Sequence, residues 1–135
     1  MKRRTTEPEI VRGKRILIVE DETALREALK VLLGCDGHQI VEARDGKEAC
    51  LLFTPGDFDL VITDYAMPAM NGDELARTLK CLVPTLPIIM ITAYARLLCT
   101  KENPVDAILE KPFTISALRR IVAAVLRSEP ENIPA

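Results

Sequence analysis

The chain has 135 residues, 48% of them hydrophobic and 28% charged, with a formal net charge of −2; this describes one folded domain and excludes the composition of a disordered chain. With 4% aromatic residues and no excess of cations, it lacks the basic footprint and the stacking platform of a nucleic-acid binder, so no direct nucleic-acid contact is expected. No apolar stretch approaches the roughly 18 to 20 residues that span a bilayer, and residues 5–9 break any secretory signal, which excludes a transmembrane helix and points to a cytoplasmic protein.

Residues 1–13 are polar, carry Pro8 and show no periodicity, so they read as a flexible leader in which Lys2-Arg3-Arg4 is a solvated charge run. The folded unit is expected over residues 14–127. Its first strand, "RILIVE" at 15–20, has a continuous apolar centre between charges, the form of a strand buried on both faces. Over 23–33, Leu25, Ala28, Leu29 and Leu32 recur at i, i+3, i+4 and i+7, with Arg26, Glu27 and Lys30 off that stripe. This predicts an amphipathic helix, capped by Asp21 or Thr23 and ended by Gly34 and Gly37.

A second strand is predicted over 38–43, opened by His38 as a structural or surface residue. Asp45 and Glu48 have capping-box spacing for a helix running through Phe53, which Pro55-Gly56 closes. The third strand, 58–64, ends on Asp64. Asn71-Gly72 is a turn before a helix with stripe Leu75, Leu79 and Leu82, stopped by Pro84. The fourth strand covers 86–92 and the fifth 105–110, separated by a poorly patterned segment at 93–103. Thr114 caps a last helix carrying Leu118, Ile121, Val122 and Val125, and 128–135 form a tail. Cys35, Cys50, Cys81 and Cys99 are scattered and His38 is the only histidine, which is neither a zinc pattern nor a disulfide framework.

Alternating near-continuous apolar strands and helices imply an α/β fold, a doubly wound five-stranded parallel sheet with helices on both faces. Ligands of such sheets bind beyond the carboxyl ends of the strands. There the predicted strands place Glu20-Asp21, Asp64, Thr92 and Glu110-Lys111. Each alone is as readily a helix cap, a strand residue or a solvated charge. Together they supply clustered carboxylates, a hydroxyl and an ammonium at matching ends of four strands. Such carboxylates stay ionised near neutrality only beside a cation, and their all-oxygen donor set suits Mg2+ better than Zn2+. A carboxylate in that setting can also attack phosphorus, with Lys111 and Thr92 placed for phosphoryl oxygens.

The stretches "ILIVEDE" (16–22), "DLVITDYAMPAMNGDEL" (59–75), "IIMITAYA" (88–95) and "EKPF" (110–113) resemble the receiver domain of bacterial response regulators, the phosphoryl acceptors of two-component signalling. The resemblance covers about 14–127 and implies a flavodoxin-like strand order 2-1-3-4-5. It implies Asp64 as the phosphorylated residue, and Mg2+ held by Asp21, Asp64 and the backbone carbonyl of Ala66, with Glu20 acting through a water. Thr92 and Lys111 would contact the phosphoryl oxygens, and the Lys111-Pro112 peptide would be cis. The implied donor is a histidine kinase, a phosphotransfer protein or a small phosphodonor such as acetyl phosphate. The protein would be a monomer or a phosphorylation-dependent dimer, catalysing only its own phosphorylation and dephosphorylation.

Two departures bear on output. Ile108 stands where the family commonly has an aromatic residue, three positions before the lysine, and the stretch from Thr92 to Lys111 is about one helical turn shorter than usual. A short or irregular helix before strand five is therefore expected, and activation should act on 93–104 through Thr92 and its backbone. Ala66 and Tyr94, beside the pocket, are expected to tune the phosphoryl lifetime. The eight residues after Arg127 are too few for an effector domain, so signalling by contact with a partner protein, or origin in a longer chain, is expected. Competing readings are a degenerate receiver acting as a phosphorylation-independent interaction domain, and a phosphotransferase or phosphatase that works through an aspartyl-phosphate intermediate. The second lacks the aspartate two residues after the nucleophile, where Ala66 stands.

Overall fold

The computed structural model describes residues 13–96 and 104–127. Its elements are β1 (Arg15–Val19), α1 (Thr23–Cys35), β2 (Gln39–Ala43), α2 (Gly46–Leu52), β3 (Leu60–Asp64), α3 (Gly72–Leu82), β4 (Ile88–Thr92), β5 (Ala107–Glu110) and α4 (Ile115–Arg127). The expected leader and tail, the basic cluster Lys2-Arg3-Arg4, Cys99 and most of the segment before β5 lie outside the described residues.

β3 and β4 are buried at every position and β1 at all but the first, because helices cover both faces of the sheet. Alternate residues face opposite sides. Leu17, Val19, Val61 and Ile88 pack with Ala49 and Phe53 near α2 and with Leu75, Ala76 and Leu79 of α3. Ile16, Ile18, Leu60, Ile62, Ile89 and Ile91 pack with Leu29 and Leu33 of α1 and with Leu118, Val122 and Leu126 of α4. All strand pairs are parallel, in the order β2-β1-β3-β4-β5. The order reverses between β1 and β3, so their carboxyl ends lie side by side at the switch point where such sheets bind ligands.

Several predicted boundaries move for identifiable reasons. The cap of α1 is Glu22, which makes no side-chain cap bond, rather than Asp21 or Thr23, and the helix runs through Gly34 to Cys35 before Gly37 turns at φ +88°. The buried face of α1 is Arg26, Leu29 and Leu33, while Ala28 is exposed. Arg26, predicted off the stripe, is buried because its guanidinium finds acceptors inside. His38 does not open β2; it is buried and its Nδ1 accepts from the Lys14 N–H at 3.3 Å. β5 begins at Ala107 because Asp106 Oδ2 accepts from the Ile88 N–H and from Lys80 Nζ, both at 2.8 Å, and so closes the sheet edge with its side chain. Asp45 and Thr114 cap α2 and α4, accepting from the N–H groups of Glu48 and Ala117; the expected capping box at α2 is not closed, because Glu48 Oε1 accepts from the Arg44 N–H at 2.7 Å instead. Cys35, Cys50 and Cys81 are free thiols. Among the described residues no helix is long and apolar enough to cross a membrane.

The start of α3 fixes the loop after Asp64. Asn71 forms a capping box, its Oδ1 accepting from the Glu74 N–H and Glu74 Oε1 accepting from the Asn71 N–H, both at 2.9 Å. The Gly72 N–H donates to the Tyr65 carbonyl at 2.8 Å. A Cβ on Gly72 would lie 2.4 Å from the Asp64 carbonyl oxygen and 3.0 Å from Tyr65 Cα. Only a residue without a side chain lets α3 come this close. Asn71→Ala is expected to lower stability by about 1 kcal/mol, as for loss of a helix cap, with Asn71→Ser retaining most of it. Gly72→Ala should cost about 1–3 kcal/mol because the opposing atoms are backbone and cannot swing away. Urea unfolding midpoints of the three variants check the ranking, and a neutral Gly72→Ala would contradict it.

Candidate functional site

Glu20 follows β1 directly. Its N–H donates to the Ala43 carbonyl at 3.1 Å, so the β1–β2 ladder extends one residue past the strand and fixes the Glu20 backbone. The side chain is 1% exposed. Oε2 accepts from the Glu22 N–H at 3.1 Å, whereas Oε1 is buried without a hydrogen-bond partner, 4.0 Å from Lys111 Nζ. Asp21 is exposed at the rim. Asp64 ends β3 and is 6% exposed; its Oδ1 accepts from the Tyr65 N–H at 3.0 Å and lies 3.1 Å from Lys111 Nζ. One carboxylate oxygen from each of Glu20, Asp21 and Asp64 lies within 4.8 Å of the others.

Thr92 ends β4 and is buried, with Oγ1 accepting from the Tyr94 N–H at 2.9 Å. In this arrangement the hydroxyl serves its own turn. The Lys111 N–H donates to the Thr92 carbonyl at 2.9 Å, continuing the β4–β5 register and delivering the ammonium to the carboxylates. The Lys111-Pro112 peptide is cis. Ala66 is exposed in the loop between β3 and α3. The structure thus brings together Glu20, Asp21, Asp64 and Lys111, with Thr92 at the adjoining strand end and Ala66 on the neighbouring loop. Sequence reasoning missed Gly72, whose Asn-Gly pair reads as an ordinary turn; the glutamate three residues after Asn71 was the available signal for a helix start.

The charges are unbalanced. Burial raises the Glu20 carboxyl from its ordinary 4.5 to about 7, reinforced by the Asp64 charge and only partly offset by the Glu22 N–H and Lys111. Burial also raises Asp64, against the lowering effect of Lys111 and the Tyr65 N–H. For Lys111, burial works against the ammonium, but the hydrogen bond and charge of Asp64 and the charges of Glu20 and Glu22 outweigh it and raise the pKa. One ammonium thus faces three carboxylates, one of them with an orphaned buried oxygen. A hard divalent cation fits this donor set, all oxygen and partly open to water.

The family described as the response regulator receiver domain matches residues 16–123. Response regulator MprA of Mycolicibacterium vanbaalenii is 34% identical over 116 residues, which is 84% of this chain and 50% of that protein. The phosphate regulon transcriptional regulatory protein PhoB of Pseudomonas aeruginosa is 37% identical over 124 residues, 85% of this chain and 52% of that one. The chain therefore spans about half the length of these curated relatives. Among solved structures, the response regulator protein TrrA from Thermotoga maritima in complex with Mg2+-BeF superposes with a TM-score of 0.77 at 35% identity, covering 83% of this chain and 98% of that one. The receiver domain from hybrid histidine kinase CckA gives 0.72 at 35% identity, covering 84% and 99%. With the parallel order β2-β1-β3-β4-β5 and the acidic strand ends already in place, these matches establish that the chain belongs to the response regulator receiver domain family, the signalling domains of two-component systems.

Proposed function

We propose that residues 14–127 act as a phosphoryl-accepting receiver, with Asp64 as the acceptor in a Mg2+-dependent reaction. The observation that carries this is the cluster of Glu20, Asp21 and Asp64 within 4.8 Å, with Lys111 Nζ 3.1 Å from the Asp64 carboxylate. Asp21, Asp64 and the Ala66 carbonyl would hold the ion, with Glu20 one water further out; bound there, Mg2+ supplies charge neutralisation for a transferring phosphoryl group.

The chain's own groups set the reaction geometry. Lys111 and the Tyr65 N–H both engage Asp64 Oδ1, which leaves Oδ2 for attack. That oxygen bonds to phosphorus as the donor's P–N bond (a phosphohistidine) or P–O bond (acetyl phosphate) breaks, and the bonding pair leaves with the imidazole or acetate. Asp64 reacts as the carboxylate, so no base need take a proton from it. Thr92 exchanges the Tyr94 N–H for donation of its hydroxyl to a phosphoryl oxygen, which alters the turn at 92–94.

Response regulators take their phosphoryl groups from histidine kinases, and that donor class, directly or through a phosphotransfer protein, is assigned here. Output is assigned to contact with a protein partner in the cytoplasm, with no direct nucleic-acid contact by residues 14–127. The transcriptional role in PhoB's name belongs to a protein of which this chain covers 52%.

Incubation with acetyl phosphate and Mg2+ should give a single phosphoryl adduct by intact mass, absent without Mg2+ and absent in Asp64→Asn. No adduct, no beryllofluoride complex and no Mg2+ affinity would overturn this reading and favour a phosphorylation-independent interaction domain. Activation with beryllofluoride should speed hydrogen exchange at the Tyr94 amide as Thr92 Oγ1 leaves it; a silent Tyr94 would exclude this switch.

A pH dependence follows from Glu20. A carboxyl raised in the folded state stabilises the fold fully below its unfolded value of 4.5, and that stabilisation is lost as pH rises to about 7. Metal-free protein should therefore lose on the order of 3 kcal/mol across this window. Mg2+ should restore stability at pH 8 but not at pH 5, and Glu20→Gln should make the metal-free profile shallower, leaving the contribution of the raised Asp64 carboxyl. Thermal midpoints in chelator and in Mg2+ test this, and a pH-independent midpoint in chelator would refute it.

A further inference from the structure

One buried cation takes no part in the chemistry above. Arg26, in the first turns of α1, is 9% exposed, and its Nη1 donates to the main-chain carbonyl of Glu20 at 2.8 Å. Its Nε lies 3.4 Å from Glu42 Oε1 on β2, and Lys30 Nζ lies 3.0 Å from Glu42 Oε2. The guanidinium fork thus ties the loop after β1 to the neighbouring strand.

The Glu20 backbone is held on both sides. Its N–H is spent on Ala43 and its C=O on Arg26, while its own side chain accepts from the Glu22 N–H. The peptide whose oxygen Arg26 grips joins Glu20 to Asp21, two of the three clustered carboxylates. Its plane fixes the direction in which the chain leaves toward Asp21. The cap of α1 supplies no side-chain hydrogen bond, so a bond from inside the helix takes over the task of tying helix to loop.

We infer that Arg26 is a positioning residue of the acidic site, aimed by Glu42, and that it sets divalent-cation affinity by holding the Glu20–Asp21 peptide. This rests on the cluster being the Mg2+ site. Coulomb attraction alone gives the opposite sign. Arg26 and Lys30 are cations that repel a dication at the carboxylates, so deleting either should tighten its binding. Positioning predicts that deleting Arg26 weakens it, as loss of a group that orients metal ligands typically weakens metal binding about 10- to 100-fold.

The test is calorimetric titration of Mg2+ into the full metal-free chain. Arg26→Gln should weaken Mg2+ at least about tenfold. Arg26→Lys, with one ammonium in place of a fork that serves both acceptors, should recover only part of this. Lys30→Gln removes the same charge but leaves the Glu20 carbonyl untouched, and should stay within about twofold of wild type at physiological salt. Glu42→Gln, which leaves Arg26 without its counterion, should fall between wild type and Arg26→Gln.

In metal-free protein, the Glu20 carbonyl carbon and Asp21 amide resonances of Arg26→Gln should shift well beyond those of the neighbouring strand. Lower stability with unchanged Mg2+ affinity would make Arg26 merely structural, and tighter binding would make its effect purely electrostatic; either overturns the inference. Should Arg26→Gln fail to fold, Arg26→Lys decides, because it keeps the charge and loses the fork, and unchanged affinity there overturns the inference equally. Absence of Mg2+ binding by the wild type would sink the receiver chemistry itself, a result distinct from all of these.

Discussion

Three carboxylates crowded against one ammonium is the constraint on which the rest of this structure depends. Lys111 lies 3.1 Å from Asp64 but 4.0 Å from Glu20, whose Oε1 stays orphaned. A buried acceptor without a partner is held only where the surrounding structure enforces it. Here the enforcement comes from the sheet. Glu20 follows β1 and Asp64 ends β3, strands whose side chains are buried on both faces, so these two buried carboxylates are held side by side while Asp21 stays exposed at the rim. The site holds carboxylate repulsion that a divalent cation would offset, which is electrostatic preorganisation with its destabilising side left visible.

The parallel register makes that confinement possible. Because β1, β3, β4 and β5 all run the same way, their carboxyl ends share one edge, and the ladder bonds continue past the strands themselves. Glu20 extends the β1–β2 ladder through Ala43, Lys111 extends the β4–β5 ladder through Thr92, and the Tyr65 N–H bonds the Ile91 carbonyl at 3.0 Å. Loop residues that would otherwise be free in space thus inherit strand precision. Gly72 adds contact from behind, where its missing side chain lets α3 lie against the Asp64 backbone.

The fold and the main site were legible in the sequence because both are written in local terms. Continuous apolar runs mark strands buried on two faces, and charges that end those runs mark the edge where ligands bind. Arg26 was not legible, since a charged residue next to an apolar stripe reads as solvated. Only the tertiary placement of the Glu20 carbonyl and Glu42 shows that its stem is buried and its head satisfied. Gly72 and Asp106 escaped for the same reason. An Asn-Gly pair and an aspartate before a strand are ordinary turn chemistry until the opposing backbone is known.

Ile108 puts an aliphatic side chain near the middle of β5. Ala107 and Leu109 pack toward α1 and α4, so Ile108, between them and in register with Met90, faces the opposite side of the sheet. An aliphatic side chain there has no polar tip to bond and little surface to expose on rotating, so β5 offers no bistable ring. Among the described residues, the end of β4 carries a hydrogen bond in which Thr92 Oγ1 accepts from the Tyr94 N–H. Tyr94, at the other end of that bond, is exposed. The end of β4 thus links a buried hydroxyl to an exposed residue through one hydrogen bond.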